Sequence, residues 1–288
     1  MFTSKNTVAI KLQGGLGNQL FQYAAGYALS KRLNCKLLLD ARYVGLGANR
    51  IYQLSQLSIT GKLAQYPDLD QLPSSDLKLL DRKFLHRNAH HFKHIREPHF
   101  HYDPEFTNLS GRVYLDGYWQ SARYFETFSS EIKQEFSLRF EKSGKMKELS
   151  SIISNSVAVH IRRGDYVNNS VTNSYHGNLN QHYYLSAIEQ IKRKFGVDEV
   201  YFFTDDPTWV SQNFRTNSMN IVSSMGFSDV EEILIFSAAK YKIISNSSFS
   251  WWGAWLGQTE NVIAPQKWFG LNIHNDTSDL YQPHWELI

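Results

Sequence analysis

Short apolar, β-branched runs alternate with amphipathic stretches along much of this 288-residue chain, and the alternation predicts where its elements lie. Thr7–Leu12 predicts a strand, followed by the glycine turn Gln13-Gly14-Gly15-Leu16-Gly17-Asn18-Gln19 and a helix from about Leu20 to Leu33. Small residues of that helix, Ala24, Ala25, Gly26 and Ala28, form a face able to lie close to a sheet, and Lys31 and Arg32 suit its carboxyl end. Lys36–Asp40 predicts a second buried strand that ends in a carboxylate. From about Gly45 to Pro104 the pattern becomes irregular. Val113–Gln120 then predicts a strand running into an aromatic turn, and a helix is expected to begin at Ser121. Composition turns polar at Glu141-Lys142-Ser143-Gly144-Lys145, a helix or linker ending near Ser156, which sets the expected division into domains 1–150 and 151–288. The last residues are left room to pack back on the first domain.

Regular alternation marks the second half. Val157–Ile161 predicts a buried strand, Gln181–Phe195 a helix, and Glu199–Thr204 a strand followed by Asp205-Asp206, with Pro207 in the first turn of the next helix. Asn220–Val222 is a short strand, and Asp229 is the expected N-cap of the helix that follows. Lys242–Ser245 predicts another strand, which breaks into a helix over Asn246–Gly257, and Asn261–Pro265 is expected to close the pattern. Strand and helix in strict alternation imply an α/β fold with a parallel, doubly wound sheet and right-handed crossovers.

Composition narrows the class. The hydrophobic content of 42% and charged content of 20% are those of a globular protein, and 14% aromatic residues suffice for some rings to line a site. A formal charge of +3, with Lys and Arg spread along the chain, argues against nucleic acid as partner and for a local anionic ligand. The single cysteine, Cys35, permits no internal disulfide and reads as a buried small hydrophobe, which points to a reducing compartment. The start of the chain lacks the pattern of a signal peptide, and no stretch reaches the ~20 apolar residues of a membrane helix. A cytoplasmic location is expected, with peripheral attachment to a membrane left open. Six histidines between His86 and His101 lack zinc-motif spacing and a cysteine partner, so a loop-rich basic surface is expected there rather than a metal site.

Three predicted strand tips in the second half carry chemistry. Val157–Ile161 discharges into Arg162-Arg163-Gly164-Asp165, and arginine at a strand's carboxyl end is well shaped to hold phosphate; an ordinary surface Arg-Asp turn would read the same way. The tip Thr204-Asp205-Asp206 delivers two carboxylates, with Asp205 able to accept from a base or ribose. Asn246-Ser247-Ser248-Phe249 opens a helix with more polar groups than capping requires, as an anion seat would. Together they describe a site for a nucleoside diphosphate. No P-loop is present, so a nucleotide whose diphosphate leaves is the better reading. The glycine turn at Gly15 and Gly17 is either a tight structural turn or a ligand loop, and Tyr118 and Trp119 are either core residues or a sugar-stacking surface.

Gly14-Gly15-Leu16-Gly17-Asn18-Gln19-Leu20-Phe21-Gln22-Tyr23-Ala24, His160-Ile161-Arg162-Arg163-Gly164-Asp165-Tyr166, Phe203-Thr204-Asp205-Asp206 and Ser245–Ala254 together resemble the bacterial α-1,2-fucosyltransferases. Their order and spacing match from about residue 8 to residue 268, with Gly117-Tyr118-Trp119-Gln120-Ser121 in between. The resemblance implies a GT-B fold, two Rossmann-like domains facing a cleft, that moves L-fucose from GDP-β-L-fucose to the 2-hydroxyl of a galactose-terminated acceptor. Inversion is implied, and neither a metal nor another cofactor. It also implies that Arg162 grips the diphosphate, that His160, Thr204 and Asp205 lie toward the nucleoside, and that Asn246, Ser247, Ser248 and Phe249 close around phosphates and nucleoside. Gly15 and Gly17 would approach the nucleotide, and Asn18 would stand at the reacting centre. Asp165 is the expected general base, with Asp40 and Asp116 as further candidates and a purely structural role for Asp165 as the other reading. A transferase using another sugar nucleotide and a non-catalytic sugar- or nucleotide-binding protein are the competing expectations.

Overall fold

The computed structural model describes residues 6–45, 51–65, 68–72, 92–164, 174–175, 177–214, 220–257, 259–270 and 272–288. The chain forms two compact units, Met1–Arg139 and Phe140–Ile288, each built on a parallel sheet. The first sheet contains β1 (Thr7–Lys11), β2 (Lys36–Asp40), β3 (Lys62–Leu63), β4 (Lys93–Arg96) and β5 (Arg112–Asp116), in the order β3-β2-β1-β5-β4. Every pairing is parallel. The chain therefore winds outward from β1 to one side and returns on the other, which makes the carboxyl ends of β1 and β5 a topological switch point.

The helix Leu16–Arg32 follows β1 directly and is buried along most of its length. Its close seat on the sheet depends on Gly26, where an added Cβ would lie 3.0 Å from Leu37 and 3.2 Å from Ile10. That is the small-residue face expected from the sequence.

The second sheet contains β6 (Val157–Ile161), β7 (Val200–Thr204), β8 (Asn220–Ile221), β9 (Tyr241–Ile243), β10 (Val262–Ala264) and β11 (Glu286–Leu287), in the order β11-β10-β9-β6-β7-β8. All pairings are again parallel. All five β6 residues are buried, as a strand covered on both faces requires. Val157, Val159 and Ile161 pack in one core with Tyr184, Ala187 and Ile191 of the helix Gln181–Phe195. The switch point of this sheet lies between β6 and β9.

Several expectations need correction. The first helix begins at Leu16, not Leu20, because Gly15 in extended conformation already serves as its N-cap. Gly17 and Asn18 thus belong to its first turn. The irregular stretch after Gly45 contains β3 and β4, two short edge strands. At Ala122–Tyr124 a single 3₁₀ turn replaces the expected α-helix. The division falls after Arg139 because the helix Gly144–Ile153 buries Met146, Leu149 and Ile153 and packs on the helix Asp229–Ala238, so it is part of the second unit and not a linker. Asp229 is the first residue of its helix. The N-cap is Ser228, whose hydroxyl accepts from the Glu231 N–H while the Glu231 carboxylate accepts from the Ser228 N–H. Finally, β10 does not close the second sheet: β11 pairs beyond it, so the last residues pack on their own unit.

Candidate active site

At the carboxyl edge of the second sheet, register decides which side chains meet. Ile161 of β6 pairs with Thr204 of β7, which sets the residues that follow each strand side by side. Arg162 Nη1 lies 2.9 Å from Asp205 Oδ2. The same carboxylate accepts the backbone N–H groups of Arg163 (2.8 Å) and Gly164 (3.0 Å). Asp205 therefore clamps the turn after β6, with three of its roughly four acceptor positions committed to that turn. Gly164 permits the clamp, since a Cβ there would lie 2.9 Å from Asp205 Oδ2. Arg163 points elsewhere: its guanidinium stacks on Trp209 at 4.0 Å and meets Asp206 Oδ2 at 3.4 Å. Asp206 also caps the helix Pro207–Asn213 by accepting from the Trp209 N–H. The two aspartates thus divide the work, one on each arginine.

His160 links β6 to the segment that follows β9, across the switch point. Its Nδ1 lies 2.7 Å from Ser245 Oγ, and its ring stacks on Phe249 with centroids 5.0 Å apart. Burial, followed by the neighbouring Arg162 charge, pushes its pKa down to about 3. A neutral imidazole is what this packing accommodates. These contacts bring the start of the helix Ser248–Leu256 to the Arg162 turn. Ser247 caps that helix through the Phe249 N–H, and Ser247, Ser248 and Phe249 reach the surface. Asn246 does not: it is buried, and its Nδ2 spans the carbonyls of Gly177 and Trp268. Thr204 is likewise buried, its hydroxyl accepting from the Asp206 N–H. So Arg162, Asp205, Ser247, Ser248 and Phe249 reach the surface at this carboxyl edge, and the buried His160, Thr204 and Asn246 lie behind it.

Gly15, Gly17 and Asn18 lie in the first unit, at its own switch point. Asn18 Oδ1 accepts from Gln120 Nε2 at 2.9 Å. Gly14, with φ +79°, leaves room for the Asn18 amide, since a Cβ there would lie 2.5 Å from Nδ2. Gln22 ties the two strand tips together, accepting from the Gln13 N–H and donating to the Gly117 carbonyl. Trp119 is 1% exposed and packs on Phe106 and Tyr124, whereas Tyr118 is 42% exposed.

Two carboxylates considered as proton acceptors are committed to cations. Asp40 is fully buried, accepts from Nε and Nη2 of Arg42 and takes the Tyr114 hydroxyl at 2.8 Å. Asp116 meets His94 and Lys11, each at 3.0 Å, and their bonds hold its pKa down to about 2. Asp165 lies outside the described residues. Of the histidine run, His94 is taken by Asp116 and His99 stacks on His101, while His86, His90 and His91 are also outside them. Among the described residues no three His, Cys, Asp or Glu side chains cluster as metal ligands would.

Sequence reasoning passed over Ser245, Gln120 and Glu97. The first two stand inside the motifs that carried the resemblance. Glu97 follows a strand too polar to be read as one, and nothing in its local pattern marks it.

An anion-ready tip at the switch point of one doubly wound sheet, with a second such sheet in a separate unit, defines an α/β protein of the GT-B type. The chain belongs to glycosyl transferase family 11, whose model matches residues 2–288. It is 33% identical over 282 residues to an alpha-1,2-colitosyltransferase of Escherichia coli, covering 91% of this chain and 92% of that protein. It is 30% identical over 307 residues to the O-antigen biosynthesis glycosyltransferase WbnK of the same organism, covering 95% and 98%. A crystal structure of the fucosyltransferase NodZ from Bradyrhizobium shares the fold, with a TM-score of 0.50 at 16% identity over 88% of this chain and 94% of that one. No helix among the described residues is long and apolar enough to cross a membrane.

Proposed function

We propose that this protein transfers L-fucose from GDP-β-L-fucose to the 2-hydroxyl of a terminal β-galactoside of an oligosaccharide or surface glycan, forming an α-1,2 linkage with inversion. The observation that carries this reading is Arg162, held by Asp205 at the tip of the central strand beside a helix start that exposes Ser247 and Ser248. A guanidinium has five donors in a planar fork, so Arg162 can grip a diphosphate while Asp205 anchors it. As the bond from the sugar carbon to the diphosphate oxygen breaks, its electron pair passes to the diphosphate, and Arg162 stabilises that growing charge. In this reading the arginine supplies the positive charge and no metal or other cofactor takes part. The acceptor hydroxyl attacks the opposite face and gives up its proton, with Asp165 the proposed acceptor of it. Asn18 is proposed to stand at the reacting centre, its amide oriented by Gln120.

A colitosyl donor is the second reading, favoured by the 33% identity to the alpha-1,2-colitosyltransferase. Both readings place a nucleoside diphosphate at Arg162 and differ in the sugar transferred. The test incubates the purified protein with GDP-fucose, GDP-colitose and UDP-sugars against a panel of galactosides, and locates the new linkage by NMR. GDP release with an α-1,2-fucosylated product is expected, and Asp165→Asn is expected to lose the acid limb of the pH–rate profile. Transfer from UDP-sugars alone contradicts the reading, and an unchanged acid limb removes Asp165 from its role.

A further inference from the structure

The turn after β5 is built more elaborately than a connection needs. Glu97, just past the end of β4, directs both carboxylate oxygens at it, accepting the Tyr118 N–H at 2.7 Å and the Trp119 N–H at 2.8 Å. Gly117 admits that approach, because a Cβ there would fall 2.3 Å from the Glu97 Cβ. Trp119 itself has φ +56°, a left-handed conformation that a bulky side chain rarely adopts and that strains the backbone unless its surroundings enforce it. The carboxylate supplies that enforcement.

The consequence is a division of two adjacent rings. The left-handed residue turns the Trp119 indole inward against Phe106 and Tyr124, and leaves Tyr118 42% exposed. One residue further, Gln120 reaches Asn18, and the preceding Gly117 carbonyl is taken by Gln22. Two cations of the neighbouring strand tips are already engaged, Lys11 with Asp116 and Arg42 with Asp40. Amides and an exposed aromatic residue, with Lys11 and Arg42 held by carboxylates, suit a polyol better than a phosphate. Aromatic faces pack on apolar sugar faces while amides bond to hydroxyls.

We propose that the turn Gly117–Gln120 is the acceptor-sugar platform, with Tyr118 presenting its ring to the galactoside and Glu97 acting as the positioning residue that holds the turn. This rests on the fucosyltransferase reading for the identity of the sugar. The carboxylate is well placed for such a role because the turn leaves two backbone donors in one direction, and only a two-oxygen acceptor satisfies both. An amide at 97 offers one acceptor, and its NH₂ would face a backbone N–H.

The test measures N-acetyllactosamine binding to the GDP-saturated protein by ligand-observed NMR, alongside transfer kinetics. Tyr118→Ala is expected to weaken disaccharide binding and raise the acceptor KM by about tenfold, a loss of about 1.4 kcal/mol, with the GDP dissociation constant unchanged. Tyr118→Phe, which keeps the ring, is expected to restore binding to near the wild-type value. Glu97→Gln is expected to raise the acceptor KM while GDP affinity stays constant, and Glu97→Asp to restore part of it. Disaccharide binding by Tyr118→Ala equal to that of wild type overturns the platform. Equal loss of GDP and disaccharide binding in Glu97→Gln overturns the positioning role, since general unfolding moves both. Absence of transfer by the wild-type protein, with disaccharide binding still dependent on Tyr118, contradicts the proposed reaction and leaves the platform standing.

Discussion

His160 sits two positions before the cation proposed to meet the diphosphate, yet its own surroundings keep it uncharged. Phe249 covers its ring, Ser245 takes Nδ1, and burial and Arg162 both oppose a second positive charge. Its pKa near 3 lies below the ordinary 6.5, so in acid the unfolded chain binds a proton that the native protein does not. The sign follows: the His160 contribution to stability is complete above about pH 6.5 and is lost as pH falls toward about 3. Histidine NMR resonances followed from pH 8 to pH 5 should show this ring neutral throughout. A titration midpoint near 6.5 would show that it is solvated and not packed as described. Asp205 shows what single residues hide in a sequence. Its residue type suits a ribose contact equally well. Only the register that places Thr204 opposite Ile161 turns it onto Arg162 and the two N–H groups beyond, and register is a long-range property that one sequence does not display.

Elements were legible in proportion to their length and burial. β6, β7 and the helix Gln181–Phe195 carry uninterrupted apolar runs or a clear 3.6-residue period, and they lie where the pattern placed them. β3 and β11 have two residues each, too few to show any period, and β4 is the polar run Lys-His-Ile-Arg. Parallel neighbours and not their own composition make strands of them. The Ser228 capping box was readable as Ser-x-x-Glu, but the acidic residue beside it has nearly equal propensity for the cap. The packing of helices behind the site was not readable at all. Gly253 in the helix Ser248–Leu256 faces Phe236 of the helix Asp229–Ala238, and a Cβ there would fall 2.5 Å from the ring. Phe236 in turn stands edge-on to His160. Gly253→Ala should therefore force the Phe236 ring to shift and cost about 1–3 kcal/mol of unfolding free energy. Urea denaturation measures this directly, and a stability equal to that of wild type would show that the two helices are not in such close contact.

For the molecule as a whole, the informative feature is that two sheets of the same doubly wound kind end in opposite chemistries. The second unit gathers an anchored arginine and half-buried hydroxyls at its switch point, while the first gathers amides and an exposed tyrosine. The alternation of strands and helices foretold the α/β class, and the motifs fall at strand tips of the two sheets. The boundary between units was legible only approximately, because the polar stretch near Glu141 looks like a linker until Met146, Leu149 and Ile153 are seen to be buried. Within that architecture the proposed reaction places one demand above the others, that leaving-group charge be met by Arg162. The most direct measurement is steady-state fucosyl transfer from GDP-fucose to N-acetyllactosamine by wild type and by Arg162→Ala, both shown to be folded. A fall in turnover on the order of 10²-fold or more is expected for the variant. Turnover within a few-fold of wild type would contradict the account.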